Sequence, residues 1–593
     1  MIVKMKKITI LVEEKETNEA LKKLRKLGVV HIKNVQQPKS EKLTELENNI
    51  ADVDKALSII GNFHKSPTTS PYNSQEVGEY VKEIVTLERK EEKLQENIRS
   101  IKEKISWFEE WGRNILPASL KELKQSGVFI KLYKVNKKLL KRIPQQENIY
   151  IINQKKGKVY LALVSSHQEK CLNFPEVDVP EKDWHCLQKE LKEAQEKLKE
   201  IKQRLEHLSS YRNHFGRYKE DLVKKLKFYQ AKFGMGKEER VCYLQGFCPI
   251  YTVSKVDKLA TSQRWGLIIQ EPDNLQEVPV LIKNPWWIDI ISPVLKFMGT
   301  LPGYNEYDIS FCFLLFFSLF FAMLIGDAGY GLIFLIFTFL AHRRWRKVEP
   351  KVFSLLYVLS ISTIIWGAIT GTWFGWEKIA RLPFLNSLVI DKINSFVETN
   401  YSFMMYICFL IGGIHLTIAH TIIILRFINS LFALSQVGWI CILWGVFFIA
   451  KKLVLSSSLP KFAPLLLISG IILVTLFSTP QKGIFKGALI SLSNLPLKII
   501  NSFSDIISYL RLFAVGYATV VVATTFNNLA VGVGFTDIGK GFIAALILFF
   551  GHCLNILLGL MAVIVHGLRL NMLEFSTHLN MEWSGQKYTP FRE

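Results

Sequence analysis

A single arginine inside an apolar run is the residue whose chemistry most needs explaining. The run LKIINSFSDIISYLRLFAVGYATVVVATTFNNL extends from about Leu497 to Leu529 and carries Arg511 near its middle. An arginine at mid-membrane costs roughly 2.5–3.5 kcal/mol on insertion scales, so its side chain is expected to face protein or water. Helical spacing puts Asp505, Ser508, Val515 and Thr519 with it, while Ile506, Leu510, Phe513 and Tyr517 cover other faces. A structural ion pair with Asp505, or snorkelling to the surface, is the plainer alternative. A second arginine weighs against it. In the last apolar helix His552, Asn555, Gly559, Ala562, His566 and Arg569 recur at steps of three and four, with Glu574 just beyond. One polar stripe on an otherwise lipid-compatible helix suits the lining of a proton or cation path, or the partner face of Arg511.

The rest of the chain must position these groups. With 593 residues, 49% hydrophobic content and a mean hydropathy of +0.18, it exceeds one domain and is too apolar to be wholly soluble. Up to about Asp289 it is rich in Lys and Glu; from Asp308 onward apolar runs dominate. The formal charge of +22 brings no zinc-finger, RNP or helix-turn-helix signature, so nucleic acid is not an expected partner. Basic residues flanking membrane helices account for it more simply. The opening MIVKMKKITILVEEKE places acids directly after a very short apolar run and does not read as a signal peptide, so the soluble half is expected in the cytoplasm. Eight scattered cysteines without a CxxC indicate neither a metal site nor a disulfide framework. GMGKEER at Gly234 fails as a phosphate loop, with Ala231 where the first glycine belongs and Glu238 where Ser or Thr belongs. No cofactor and no covalent chemistry are expected of this chain by itself.

Alternation around ITILV, a helical TNEALKKLRKLG and a second alternation at VVHIKNV predict a strand, helix, strand unit. Leu43, Leu46, Ile50, Val53, Leu57 and Ile60 then step by threes and fours. After a break at Pro67 and Pro71 the heptad resumes with Ile84, Leu87, Leu94, Ile98, Ile101, Ile105 and Phe108, and Glu91 intrudes. A matching return arm holds Leu187, Leu191, Ala194, Leu198, Ile201, Leu205 and Leu208. Between the arms GVFIKLYKV and KVYLALVSS read as strands. The organisation expected is an α+β lobe from residues 1–38 with 234–290, an antiparallel coiled-coil arm from 39–112 and 181–233, and a distal lobe at 113–180.

A membrane domain is expected over 308–580, followed by a cytoplasmic tail at 581–593. The run from Asp308 to His342 is interrupted by GDAGYG, whose Gly326, Asp327, Gly329 and Gly331 predict a tight hairpin of two short spans. His342, Arg343, Arg344, Arg346 and Lys347 follow it and mark the cytoplasmic side. Further spans at Phe353–Trp373, Phe403–Arg426, Leu431–Ala450 and Phe462–Ser478, the Arg511 span and a last one from about Gly541 bring the count to about eight. The fold class is an α-helical membrane protein with an N-terminal lobe and coiled-coil hairpin. Gly367, Gly371 and Gly375 form a small-residue packing stripe.

These residues resemble a known family. DIISYLRLFAVGYA is similar to the SYxRLxAL motif of the a subunit of vacuolar-type rotary ATPases, called subunit I in bacterial and archaeal complexes. HGLRLNMLEF, the closing SGQKYTPF, GDAGYG, and VPVLIKN with GYNEYD resemble that family's last-helix motif, C-terminal signature, first hairpin and soluble-to-membrane junction. The sequence departs where EYDIS replaces EIDPT and where Gly559 occupies a position that holds glutamate in some eukaryotic members. The resemblance implies a multi-pass membrane stator without catalytic chemistry of its own, in which Arg511 and Arg569 face a ring of proteolipid c subunits between two half-channels for protons or Na⁺. It also implies that peripheral-stalk subunits of the E/G type grip the soluble arm, that the catalytic ATPase head is an indirect partner, and that membrane lipid surrounds the helices. A secondary transporter or channel with a cytoplasmic coiled-coil sensor is the alternative from another class, and it would call for inverted repeats that the sequence does not display.

Overall fold

The computed structural model describes residues 1–592 apart from 62, 64–70, 138–147, 156, 168–171, 173, 479–483 and 535–536. Pro67 of the expected helix break and the last residue of the tail, Glu593, lie outside the described residues. The chain divides into two compact units. One comprises Met1–Thr9, Val29–His31 and Gly246–Pro590, the other Ile10–Gly28, Ile32–Gln245 and Phe591–Glu593.

The chain opens with β1 (Met5–Glu13), α1 (Thr17–Leu27) and β2 (His31–Lys33), the strand, helix, strand order that the alternation predicts. The second unit then follows the heptads. Its helices α2 (Glu41–Ile60) and α3 (Ser74–Trp111) start at Ser40 and Asn73, whose side chains accept from the backbone N–H groups of Lys42 and Gln75 and so cap them. After α4 (Pro117–Gln125) come β3 (Phe129–Asn136), β4 (Ile149–Lys155) and β5 (Lys158–Ser165), an antiparallel sheet in the order β3, β5, β4. The return helices are α5 (Trp184–Ser209) and α6 (Arg212–Phe233), followed by β6 (Gly236–Glu238) and β7 (Val241–Pro249). Val53, Ile60, Val81, Ile84, Leu205, Leu208 and Phe215 bury one seam, with Arg204 pairing with Glu83 across it at 2.7 Å. Further along, Ile101 and Phe108 of α3 pack with Leu187 of α5 and with the sheet residues Leu132 and Tyr160. Late residues of α3 thus meet early residues of α5, so the two helices run antiparallel.

The other unit adds α7 (Val253–Gln263), β8 (Gly266–Gln270), β9 (Pro279–Val280) and the short α8 (Ser292–Met298), with β1 lying between β7 and β8. The closing SGQKYTPF contributes β10 (Gln586–Lys587), which pairs parallel with β9 in the VPVLIKN segment. Gly585 donates its N–H to the Leu301 carbonyl at 3.1 Å, and a Cβ there would meet the Pro302 carbonyl, which is why the turn takes glycine.

The apolar half forms α9 (Ser310–Ile325), α10 (Ala328–Arg344), α11 (Pro350–Thr370), the single turns α12 (Glu377–Ala380) and α13 (Pro383–Asn386), then α14 (Tyr401–Arg426), α15 (Phe432–Leu455), α16 (Ala463–Phe477), α17 (Ile484–Ser508), α18 (Leu510–Val533) and α19 (Ile538–Ala562). Among the described residues five segments are long and apolar enough to cross a membrane: Pro350–Thr370, Glu398–Arg426, Phe432–Leu455, Ser491–Val533 and Ile538–His578. The α9 and α10 pair is bent by 119°, a sharp turn at GDAGYG that excludes one straight helix. α16 has 15 residues, about 22 Å of helix at 1.5 Å per residue, shorter than a hydrocarbon core of about 30 Å. The expected eight is reached only if α9, α10 and α16 each cross, so length alone supports five or six.

The Arg511 segment also differs from the single helix expected at Leu497–Leu529. Helix begins earlier, at Ile484, and is interrupted at Tyr509, where Tyr509 N–H bonds the Ile506 carbonyl at 3.2 Å and Leu512 N–H bonds the Tyr509 carbonyl at 3.0 Å. These i to i+3 bonds tighten one turn. The Tyr509 ring fills the space that Gly412 leaves open, and its hydroxyl bonds His415 Nδ1 at 2.8 Å.

Gly367 packs so closely that an added methyl group would land on the backbone nitrogen of Ala328, whereas Gly532 has open space around its Cβ direction. Gly367→Ala is therefore expected to lower stability by about 1–3 kcal/mol through overpacking, and Gly532→Ala to leave it unchanged. Thermal unfolding of the full chain in detergent tests the pair, and equal midpoints would contradict the packing described.

Candidate functional site

Arg511 sits in the first turn of α18, after the tightened turn at Tyr509. Its Nε donates to the Ser508 carbonyl at 3.0 Å and its Nη2 to Glu574 Oε1 at 2.6 Å. Arg569 Nε approaches the same Glu574 oxygen at 3.4 Å. The Glu574 side chain is 3% exposed, that of Arg511 25% and that of Arg569 52%. One buried carboxylate thus stands between two guanidiniums, and Arg511 carries the shorter, charge-assisted bond. The sequence-based ion pair of Arg511 with Asp505 is not what forms. Asp505 Oδ2 lies 3.1 Å from His578 Nε2 instead.

That His578 opens a second group. Its Nδ1 lies 3.1 Å from His420 Nε2, and His420 Nδ1 lies 2.8 Å from Gln436 Oε1. Asp505, His578, His420, Gln436, Ser502 and Lys498 all line a cavity of about 430 Å³. A relay of ring nitrogens and carboxyl oxygens along a cavity of this size is suited to passing protons or hydrated cations.

A third group lies further along α18. Tyr330 hydroxyl bonds His552 Nδ1 at 2.7 Å and accepts from Asn555 Nδ2 at 3.0 Å; Asn555 Nδ2 also donates to the Thr519 carbonyl at 2.8 Å. His552 Nε2 meets Asn527 Oδ1 at 3.1 Å, and Asn527 Nδ2 donates to the Phe374 carbonyl at 2.7 Å. Along the Arg511 segment the polar positions therefore run Asp505, Arg511, Thr519, Asn527, and their partners His578, Glu574, Asn555, His552 run in reverse order along the last helix.

GDAGYG is a joint in this arrangement. Asp327 caps α10 by accepting from Gly329 N–H at 2.8 Å and Tyr330 N–H at 3.3 Å, and also accepts from Phe374 N–H at 2.9 Å and Gly375 N–H at 2.8 Å. Four backbone donors satisfy one buried carboxylate. Gly326 takes the left-handed region at φ +67°, and side chains at Gly329 and Gly331 would strike Phe374 and Ile364.

Of the residues singled out in the sequence, Arg511, Arg569 and Glu574 come together, Asp505 joins the cavity, and His552 and Asn555 join the third group. Ser508 takes part through its carbonyl. His566 bonds with none of them: its Nδ1 is buried without a hydrogen-bond partner among the described residues. Sequence reasoning missed His420, Gln436, His578, Tyr330 and Asn527. Two histidines within the apolar run IGGIHLTIAHTIIILR were the available signal. Only His420 reaches the cavity, since His415 is sandwiched between the Phe316 and Phe575 rings at 3.9 and 4.3 Å. No group of three or more His, Cys, Asp or Glu with metal-holding geometry occurs among the described residues.

The V-type ATP synthase subunit I of Borreliella burgdorferi is 31% identical over 616 aligned residues, covering 100% of both chains. The V-type ATP synthase subunit I 1 of Treponema pallidum is 28% identical, again over 100% of both. The A-type ATP synthase subunit I of Methanocaldococcus jannaschii is 27% identical over 60% of this chain and 56% of its own length. A crystal structure of the cytoplasmic N-terminal domain of a V-ATPase subunit I aligns over 44% of this chain and 99% of its own at 17% identity, with a TM-score of 0.23. No family model matches the chain.

Removing one partner of a buried ion pair strands the other, at about 3–5 kcal/mol. Glu574→Ala is therefore expected to lower stability by that order, and Glu574→Gln, which keeps an acceptor for Arg511, by less. Unfolding of the detergent-solubilised chain measures both, and an unchanged midpoint for Glu574→Ala would show that the carboxylate does not hold the two arginines.

Proposed function

The chain belongs to the V-type ATP synthase subunit I family, and on that premise we propose that it is the membrane stator of a rotary ATPase, coupling ATP hydrolysis or synthesis to movement of protons or Na⁺. The observation that carries the proposal is Arg511, held at one edge of a buried carboxylate with polar groups on either side of it along the same segment. In this proposal Arg511 and Arg569 face the proteolipid c-ring. The cavity lined by Asp505, His578 and His420 serves as the half-channel on the side of the Arg426 end of α14, and the Tyr330, His552, Asn555 and Asn527 group serves as the other.

Electrostatics then dictates the order of events. A rotor carboxylate crosses lipid only when neutral, with a proton or Na⁺ bound. Beside a guanidinium that does not deprotonate, its ionised form is favoured and its ion leaves. The ion exits into one half-channel, the carboxylate passes Arg511, and it reloads from the other. The same fixed charge opposes cation leak between the two paths. Glu574 keeps the arginines in place between passages, because one buried oxygen orients both.

The rest of the chain supports the stator role. The N-terminal lobes and the C-terminal tail are assigned to the cytoplasm, since the basic residues after α10 mark that side. The lobes are the seats for E/G-type peripheral-stalk subunits, through which the chain is linked indirectly to the catalytic head. The chain itself makes and breaks no covalent bond.

If the α3 and α5 seam transmits torque, Leu198→Asp with Ile201→Asp is expected to uncouple ATP hydrolysis from ion transport while the membrane helices still insert. Full coupling in a variant whose helical content has fallen would refute that role. Arg511→Gln is expected to abolish ATP-driven ion uptake into vesicles holding the assembled complex, Arg511→Lys to retain little, and Arg569→Gln to impair it less because its side chain is half exposed and makes the longer contact. Near-normal uptake by Arg511→Gln, with subunit stoichiometry checked on the same preparation, would return Arg511 to a purely structural ion pair.

A further inference from the structure

The basic cluster after α10 is not spread evenly over the helix end. Arg343 and Arg346 line a groove of about 410 Å³ between α10 and α11, together with Phe339, His342, Phe353 and Tyr357, whereas Arg344 and Lys347 do not line it. The groove has a built wall. His342 stacks on Phe353 with ring centroids 4.6 Å apart and an interplanar angle of 10°, and its Nδ1 lies 3.4 Å from the Tyr357 hydroxyl. Phe353 is buried, while Phe339 is 57% exposed and continues the aromatic surface along α10 towards the apolar part of the helix.

Charge in the groove is unbalanced. Glu349 and Asp289 are occupied elsewhere: Glu349 pairs with Lys296 at 2.9 Å, and Asp289 pairs with Lys351. The hydrogen bond from Lys296 holds the Glu349 carboxyl below its usual range. Among the described residues no carboxylate pairs with Arg343 or Arg346. Two guanidiniums above an aromatic, apolar slot at the end of a membrane helix form a fork suited to a phosphate whose attached chains continue into the hydrocarbon. Basic pockets between membrane helices on the cytoplasmic side recognise anionic headgroups in this way.

We propose that this groove between α10 and α11 is a binding site for an anionic phospholipid, with the phosphate on Arg343 and Arg346 and an acyl chain along the exposed Phe339. The proposal rests on α10 and α11 being membrane helices and not on the ion path. A phospholipid is favoured over a free phosphate or an acidic protein segment because the aromatic wall runs from the arginines along α10.

Native mass spectrometry of the full chain in detergent, titrated with dioleoyl phosphatidylglycerol or dioleoyl phosphatidylcholine, tests it. The wild type is expected to retain phosphatidylglycerol at least tenfold more tightly than phosphatidylcholine. Arg343→Gln with Arg346→Gln is expected to remove that preference, and Arg343→Lys with Arg346→Lys to keep part of it. Arg344→Gln with Lys347→Gln removes the same charge outside the groove and is expected to leave the preference intact. Equal retention of the two lipids by the wild type would overturn the site while leaving the membrane helices in place. A preference lost equally in both glutamine pairs would overturn it too, by reducing it to general surface charge. Thermal stabilisation by inorganic phosphate as large as that by phosphatidylglycerol would overturn the choice of a lipid.

Discussion

Most of the membrane unit can be understood from one constraint: a guanidinium among apolar helices needs a carboxylate that is itself shielded. Glu574 meets it. With its side chain 3% exposed it is close to both Arg511 and Arg569, and the trio retains one positive charge. A buried ion pair of this kind does not stabilise a fold strongly, because desolvating the charges offsets much of their attraction. Its value is geometric. Arg511 is fixed by two bonds at different atoms, from Nε to the Ser508 carbonyl and from Nη2 to Glu574, so the plane of the guanidinium is set.

Fixing that plane requires α18 and the last helix to lie against a common support, which the end of α9 provides. A Cβ on Gly516 of α18 would strike the Met323 carbonyl, Thr519 donates to the Ile325 carbonyl at 3.2 Å, and Gly559 of α19 faces the Ile325 side chain. Small residues let the backbones come this close. The end of α9 is in turn locked by Asp327, whose four backbone donors come from both α10 and the loop after α11. An acid and glycines in the middle of an apolar run therefore have a mechanical explanation: they tie the sharp turn to the loop at the far end of α11.

The sequence made the heptads, the hairpin turn and the two arginines legible because each is a local pattern. Leu205, Leu208 and Val53 were readable as seam residues from spacing alone, and they are buried. What was not legible depended on partners distant in sequence. Asp505, six residues from Arg511, offered the plainer ion pair, and spacing named the last helix only as a possible partner face; the partner is Glu574, 63 residues away. His420 and Gln436 stand on helices that no spacing rule links to Asp505. Nor does spacing reveal the interruption at Tyr509, whose ring packs over Gly412 on another helix.

The stripe on the last helix shows how a correct pattern can still mislead. Steps of three and four assume a uniform α-helix, but the chain winds as π-helix over Val563–Gly567 and again over Leu570–Phe575. Gly551, Asn555, Gly559, Val563, Gly567, Asn571 and Phe575 form a buried row at steps of four. In a pure α-helix such a row would drift by about 40° at each step and wind off the packed face. The wider π turns, with i to i+5 bonding, reverse that drift. The row stays inward as far as Phe575 and brings Glu574 in beside it, while Arg569, aligned with Asn555 on α spacing, rotates out to 52% exposure and reaches Glu574 only at 3.4 Å. The asymmetry between the two arginines, one held and one half exposed, is thus a consequence of helix winding, which residue spacing alone does not encode.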